Sequence, residues 1–325
     1  MKTHQRTKLQ MNHLSFLFLI SISLSALGNC PDLTKNETAE DCPWAEITRQ
    51  IVDQKKPCDP VLKASVPFIF EQFSKDQKAQ EFLTLWGEAK NYDENAKAII
   101  VDSKILQCLA EKLKLKNAVQ PQNGFESVHA GLQHTYAYLF SNTPTPYGYK
   151  RARWTKDDIE KGFGLSKKAL TPETKKGAFL SNVTYFFAKF AFQDDSELIK
   201  KLEAVGRKNK SVSPELMSLK TEKFQIKNLV ETLPEKQIIL HTTFVKMNPE
   251  KLISKNTYLL IYWVENQKNK TKSLITGFPV ETSFVDRVLD EKNIGSKKPI
   301  STHYNAWISA LTNAKETLMG STEVR

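Results

Sequence analysis

One segment of the chain, residues 147–154, combines aromatic and arginine side chains at close spacing. It contains Tyr149, Arg151, Arg153 and Trp154, and so two of the seven arginines of the protein. In a β-strand, Tyr149, Arg151 and Arg153 share one face, because successive side chains alternate between faces. Such a face can bind an anionic or saccharide ligand by aromatic stacking and forked hydrogen bonds. The alternative is an edge strand that its charges keep soluble, with Trp154 packed inward.

Two histidines extend this candidate ligand-binding set. His241 lies within an apolar strand pattern, and His303, followed by Tyr304, lies among hydroxyl and amide side chains. Imidazole can bind a ligand or exchange a proton near neutral pH, and the alternative at each position is a hydrogen-bonded structural histidine. His129 and His134 are five residues apart, a spacing that places them on one face of neither a strand nor a helix. We therefore expect no metal site.

The chain lacks the sequence motifs of the common nucleotide, cofactor and hydrolase sites. It contains no Walker A loop, GxGxxG fingerprint, HExxH pair, GxSxG elbow, EF-hand loop or protein-kinase signature. We expect no cofactor. A hydrolase is an open alternative, because catalytic carboxylates or a carboxylate and a histidine need no local motif.

Residues 1–28 have the pattern of a secretory signal peptide. Three basic residues precede the apolar run Leu14–Leu24, which is too short to span a bilayer comfortably. Ala26 and Gly28 then supply the small residues that precede a cleavage point before Asn29. We therefore expect an exported protein, periplasmic or extracellular, whose mature chain has no transmembrane span. An uncleaved anchor is the alternative.

Four cysteines, all N-terminal, favour disulfide bonds in an exported chain. Of the three possible pairings we favour Cys30–Cys42 and Cys58–Cys108, because near neighbours close their loops at lower entropic cost. There is no CxxC motif and no histidine at ligand spacing, so neither a zinc site nor a thioredoxin-like motif is indicated. Lipidation of Cys30 is an alternative use of that residue.

The charge of the chain comes mainly from lysine. Removal of residues 1–28 lowers the formal net charge from +11 to +8, and only seven of the 47 basic residues are arginine. Recognition of phosphates and bases favours the planar arginine fork, so nucleic acid is not an expected partner. A lysine-rich surface instead suits an anionic cell-envelope component, and tyrosine and tryptophan residues of the predicted sheet could line a cavity for a small apolar or anionic ligand.

The region 29–120 is predicted to be helical and to carry the disulfides. Apolar residues recur with helical spacing across residues 43–115, and Pro67 should kink or split the second helix. We expect Asp76 to begin a third helix that continues to Ala89. A polar segment rich in helix breakers, residues 117–124, follows as a linker.

The region 121–325 is predicted to be an antiparallel-sheet domain with packed helices, which makes the whole chain an α+β protein. Phe179–Phe192 is apolar on both faces and rich in aromatic residues, and we interpret it as a buried central strand. Short connections between the later strands favour antiparallel pairing. The predicted strands are Phe224–Val230, Gln237–Met247, Thr257–Val264 and Ser273–Val280, and the predicted helices are Ser196–Arg207, Thr282–Asp290 and Tyr304–Met319.

Together these features predict an exported α+β protein with a binding function. The first hypothesis is non-catalytic binding of an apolar or anionic envelope ligand through the sheet and its aromatic and basic edge. The alternatives are a secreted hydrolase with a carboxylate or histidine site and a structural interaction protein. The sequence leaves open whether the protein is an enzyme.

Overall fold

The structure, a computed structural model, confirms the α+β architecture, in which helices pack on a mostly antiparallel sheet. Most of the helices come first in the chain, and the four longest strands follow one another from Ile226 onward. The residues described are 47, 49–65, 67–86, 89–92, 103–114, 126–129, 144–145, 148–149, 159–171, 174–233, 237–248, 250, 252, 255–290, 307–308 and 322–324.

A proline divides the first two α-helices of the described chain. Proline removes a backbone N–H and clashes with the preceding turn, and Pro67 accordingly separates two helices. After a π-helical turn at Arg49–Asp53, the helices are α1 Cys58–Ser65, α2 Pro67–Lys78, α3 Gln80–Thr84, α4 Ser103–Leu113, α5 Ile159–Gly162, α6 Phe179–Ala191, α7 Ser196–Asn209, α8 Pro214–Met217 and α9 Thr282–Val288.

An antiparallel meander forms the main sheet. The strands in chain order are β1 Ala89–Tyr92, β2 Glu126–His129, β3 Pro144–Thr145, β4 Gly148–Tyr149, β5 Ile226–Leu233, β6 Ile238–Lys246, β7 Asn256–Asn266, β8 Lys272–Glu281, β9 Trp307–Ile308 and β10 Thr322–Val324. The main sheet has the order β10-β5-β6-β7-β8 and only antiparallel pairs. The four predicted strands of this meander are therefore confirmed.

Helix α6 lies at the centre of the larger hydrophobic core and corrects the prediction of a strand over Phe179–Phe192. Twelve of its 13 residues are buried. A segment buried on all sides loses the polar–apolar period that distinguishes a helix from a strand. Trp86 Nε1 donates a hydrogen bond to Thr184 Oγ1 at 2.8 Å, and the Phe192 ring packs edge-on against Trp263 of β7 with centroids 5.2 Å apart. These contacts fix α6 against α3 and the sheet.

Side chains of α2 supply the acceptors that the first turn of α6 needs. The first N–H groups of any helix have no partner within the helix. Gln72 Oε1 accepts from Phe179 N at 3.0 Å, and the Asp76 carboxylate accepts from Leu180 N at 3.2 Å. Asp76 also accepts from Ser181 N at 2.9 Å and from the Ser181 hydroxyl. The prediction that Asp76 begins a helix is therefore wrong. Asp76 lies within α2, and its side chain caps α6.

The two faces of the main sheet enter different apolar clusters. Val245, Ile261 and Trp263 pack in the cluster that contains α6 and the N-terminal helices. Phe244 and Leu260, whose side chains alternate to the other face, pack in a smaller cluster with Phe284, Val285 and Val288 of α9. The sheet is thus covered by helices on both sides, and alternate residues of one strand enter different apolar clusters.

The structure also tests three smaller predictions, one about a disulfide and two about helices. The disulfide Cys58–Cys108 is present, joining α1 to α4 with its Cα atoms 6.0 Å apart, which confirms that pairing. Trp307–Ile308 forms strand β9, so the predicted helix Tyr304–Met319 is wrong at these two residues. Ala89 begins strand β1 rather than continuing a helix.

Among the described helices, none combines the length and apolar character that crossing a bilayer requires.

Candidate functional site

A surface groove lies where the turn after α5 meets the beginning of β5 and the end of β6. Its volume is about 490 Å³, and it is lined by residues 162–164, 223–225 and 246–248. Small-molecule sites commonly enclose roughly 300–1,000 Å³, so the groove has room for a small ligand. We call it the Phe163 groove, after the aromatic residue at its base.

Four phenylalanines form the floor of the Phe163 groove and the core beneath it. Phe163 is buried, and its ring centroid lies 4.9 Å from that of Phe186 and 5.2 Å from that of Phe190, both on α6. Phe224 is half-buried and lies 4.9 Å from Phe163. Edge-to-face and tilted contacts of this kind stabilise aromatic clusters beyond their buried area. The groove therefore has a rigid apolar base.

Backbone hydrogen bonds hold the three lining segments together. The turn after α5 is a Schellman motif, in which Leu165 N donates to Glu160 O and Gly164 N donates to Lys161 O, at 2.7 and 3.0 Å. Gly164 has a φ of +70°, the left-handed conformation that this motif requires.

The end of β6 is then tied to both other segments. Asn248 N donates to Gly162 O at 3.0 Å, and Lys246 N donates to Gln225 O at 2.9 Å. These two bonds bring segments that are far apart in the sequence to the two sides of the Phe163 groove.

The rim of the Phe163 groove is cationic. Lys223 and Lys246 are exposed and line the groove together with the amide side chains of Gln225 and Asn248. An ammonium group offers three hydrogen-bond donors and a full positive charge, and an amide offers both a donor and an acceptor. None of the described residues that line the groove is acidic. The arrangement suits a ligand with an apolar body and an anionic end.

His241, the predicted ligand-binding histidine that the structure describes, lies in the packed face of the sheet, apart from the residues that line the Phe163 groove. Its ring stacks on that of Trp263 with centroids 3.6 Å apart, and it is 7 % exposed. Its Nε2 lies 3.9 Å from Glu265 Oε2, and Lys270 Nζ lies 3.5 Å from Glu265 Oε1. His241 is thus brought next to a carboxylate, but under an indole ring rather than in a cleft.

The other predicted site residues are mostly outside the described part of the chain. Tyr149 lies in β4, which pairs with β3 in a short hairpin. Arg151, Arg153, Trp154, His303 and Tyr304 lie outside the described residues, as do Cys30 and Cys42. The shared face proposed for Tyr149, Arg151 and Arg153 therefore stays a prediction.

Burial shifts the pKa values of two titratable side chains of α6, the buried Tyr185 and the half-buried Lys189. Burial and the hydrogen bond to Glu203 Oε1 at 2.8 Å raise the pKa of Tyr185. Desolvation lowers the pKa of Lys189, whose Nζ donates to the carbonyl oxygens of Leu216 and Met217 at 3.2 and 2.7 Å. Tyr185 has no exposed surface. Perturbed pKa values often mark functional sites, but here they follow from packing in the core.

The residues of the Phe163 groove were not among those predicted from the sequence to bind a ligand. Alternation over Phe224–Val230 does indicate that Lys223 points outward and Phe224 inward. No local signal links either residue to Phe163 or Lys246, because the contacts arise from tertiary packing. Within the described residues, no group of three or more histidine, cysteine or acidic side chains could hold a metal ion.

Comparison with known proteins gives no relative from which a role could be transferred. No protein-family model matches the chain, and no match was found among curated proteins or solved structures.

Proposed function

We propose that this protein is an exported binding protein that holds a single-chain anionic amphiphile in the Phe163 groove without chemical change. The observation that carries the proposal is the placement of Lys223 and Lys246 on the rim of a depression whose base is Phe163. The Cys58–Cys108 disulfide supports the exported part of the proposal, because disulfides persist in oxidising compartments.

The chemistry of the lining favours an alkyl phosphate, sulfate or carboxylate over a polar metabolite. The half-buried ring of Phe224, which lies against the buried ring of Phe163, offers apolar area to a hydrocarbon chain, each buried CH₂ of which contributes up to about 0.8 kcal/mol. Lys223 and Lys246 offer charge-assisted hydrogen bonds to the head group. A neutral amphiphile would gain only the first contribution, and a free inorganic anion only the second.

The lining also favours binding over catalysis. The described residues of the Phe163 groove are glycine, phenylalanine, lysine, glutamine, methionine and asparagine. They include no carboxylate, imidazole, thiol or hydroxyl side chain, so the two lysines have no acid–base partner within the described lining. Such a site can hold and release a ligand, which is what a carrier or sensor in the cell envelope requires.

The test is calorimetric titration of the protein with decyl phosphate, octyl phosphate, decanol and inorganic phosphate. We expect decyl phosphate to bind most tightly, with up to about fourfold weaker binding for each CH₂ removed. The variant Lys223→Met/Lys246→Met should weaken decyl phosphate binding about thirtyfold, taking about 1 kcal/mol for each lysine. Its binding of decanol should not change.

The matched control is Lys220→Met/Lys255→Met, which removes two exposed lysines outside the groove. The control should bind decyl phosphate as the unaltered protein does. Equal losses in the two double variants would mean that net charge, not the Phe163 groove, attracts the anion. Equal binding of inorganic and decyl phosphate would show that the aromatic floor takes no part, and either result would overturn the proposal.

A further inference from the structure

Helix α7 presents a strongly basic surface that the Phe163 groove does not use. Its inner side, which includes Leu202 and Gly206, is buried against the core. Its exposed residues are mainly cationic, and the left-handed cap residue Lys210 adds another exposed cation. We name this surface the α7 basic face, and define it by Lys200, Lys201, Arg207, Lys208 and Lys210.

The cations of the α7 basic face are aligned by the helical repeat. Lys200 and Arg207 are seven residues apart, close to two full turns, and so are Lys201 and Lys208. Each pair therefore runs parallel to the helix axis, and the small exposed residue Ala204 lies between the two rows. The 14 residues of α7 span about 21 Å, so the charges form a strip rather than a point.

The acidic residues of α7 leave this strip positive. Glu197 lies in the first turn, where a negative charge stabilises the helix dipole. Glu203 accepts a hydrogen bond from the Tyr185 hydroxyl at 2.8 Å, which directs its carboxylate toward the core, and its other oxygen lies 3.5 Å from Arg207. The four lysines therefore set the charge of the face.

A neighbouring loop extends the basic surface. Ala178 N donates to Ser211 O at 2.7 Å, which joins the loop before α6 to the residue that follows Lys210. Lys175 and Lys176 lie in that loop and are exposed. Cations from two segments of the chain thus meet at the C-terminal end of α7.

We propose that the α7 basic face docks the protein on a bilayer that contains anionic phospholipid. The face lies on the exposed side of a helix, is built almost entirely from lysine, and has no exposed aromatic residue between 196 and 210. A single-stranded nucleic acid would need aromatic platforms and a groove, and specific phosphate recognition favours arginine. Binding to a planar surface of negative lipid head groups requires only a strip of mobile positive charges. Since no bulky apolar side chain is exposed on the face, attachment is peripheral and sensitive to salt.

The experiment is co-sedimentation of the full chain with vesicles of phosphatidylcholine that contain phosphatidylglycerol, with pure phosphatidylcholine vesicles measuring any attachment through apolar segments. We expect binding that depends on phosphatidylglycerol and weakens at least tenfold when salt rises from about 0.05 to 0.5 M. Each lysine near an anionic surface strengthens binding about fivefold. The variant Lys200→Glu/Lys201→Glu/Lys208→Glu/Lys210→Glu should therefore bind at least a hundredfold more weakly.

The matched control reverses four exposed lysines on other elements, Lys63→Glu/Lys220→Glu/Lys255→Glu/Lys268→Glu. It has the same net charge as the α7 variant, so its vesicle binding should fall much less. Circular dichroism of both variants shows whether each keeps its helix content. If the α7 variant and the control lose vesicle binding equally, only the net charge matters and the proposal fails.

Two further outcomes would also overturn it. One is the absence of phosphatidylglycerol-dependent binding in the unaltered protein. The other is an α7 variant that no longer binds heparin or DNA but still binds vesicles. That result would mean that the α7 basic face binds a soluble polyanion rather than a membrane. The variant Lys223→Met/Lys246→Met should sediment with vesicles as the unaltered protein does, so failure of the groove proposal and failure of this one are distinguishable.

Discussion

Asp76 is a charged residue whose position is explained by the donors around it. Only 1 % of its surface is exposed, yet its carboxylate accepts from two backbone N–H groups and one hydroxyl at the start of α6. Burying a carboxylate is costly unless hydrogen bonds compensate for the lost water. The sequence indicates that Asp76 is a capping residue, but the helix it caps lies about 100 residues further along the chain.

We predict that Asp76→Ala lowers the free energy of unfolding by about 3 kcal/mol, because it leaves the N–H groups of Leu180 and Ser181 buried without their acceptor. Urea unfolding followed by circular dichroism measures the change. The control, Ser181→Ala, removes one donor and keeps the backbone bonds, so it should cost about 1 kcal/mol. A loss below about 1 kcal/mol for Asp76→Ala would contradict the capping role.

At the scale of the element, the sequence predicts best where one side of a segment faces water. Helix α7 agrees with its prediction because its period of 3.6 residues reflects one exposed side, whereas strands β6 and β7, although buried over most of their length, are recognisable from runs of β-branched and aromatic residues. Helix α6 is buried on every side, so its pattern carries no period. Its first turn is satisfied by Gln72 and Asp76, and these tertiary contacts are absent from any local pattern.

Helix α7 has a charged cap that makes its stability depend on pH. The Asp195 carboxylate accepts from Leu198 N at 3.1 Å, and Lys272 Nζ lies 3.0 Å from Asp195 Oδ2. The backbone hydrogen bond, assisted by Lys272, lowers the pKa of Asp195, although burial opposes this. Because the folded pKa is below the unfolded value of about 3.9, the contribution is present above that pH and is lost as pH falls through the folded pKa.

We therefore predict that Asp195→Asn, which keeps an acceptor for Leu198, is less stable than the unaltered protein at pH 7 by about 0.5 kcal/mol and equally stable near pH 2.5. Urea unfolding across this pH range measures the difference. In the Lys272→Met variant the ion pair is already lost. Asp195→Asn should therefore lower the free energy of unfolding less in that variant than in the unaltered protein. A difference that is constant with pH would contradict the assignment.

At the scale of the whole molecule, the Phe163 groove shows what a sequence alone does not contain. Its residues come from three segments, and the sequence correctly indicates the inward and outward sides of only one, at Lys223 and Phe224. The other two meet it through Asn248 N to Gly162 O and Lys246 N to Gln225 O. Such a site depends on how α5 and the sheet pack, and that packing is decided by the core around α6. The disulfide was predictable because loop closure depends on separation along the chain.

That disulfide gives the last prediction, which concerns the stability of the whole chain. Cys58 and Cys108 are 50 residues apart in the sequence, and a cross-link of that span restricts the unfolded chain by roughly 4 kcal/mol in the chain-entropy account. We expect Cys58→Ala/Cys108→Ala to lower the free energy of unfolding by about 3 to 4 kcal/mol. Guanidinium unfolding without reductant measures the loss.

Reductant provides the control for that measurement, because it should lower the stability of the unaltered protein to that of the double variant. Any further effect of reductant on the double variant itself reports bonds other than Cys58–Cys108. Equal stability of the double variant and the oxidised protein would contradict the prediction. If reductant lowers the stability of the cross-linked protein but not that of the double variant, the helices α1 and α4 depend on an oxidising compartment for their full stability. Full stability of the fold would then require the oxidising conditions of the exported location that we propose for this protein.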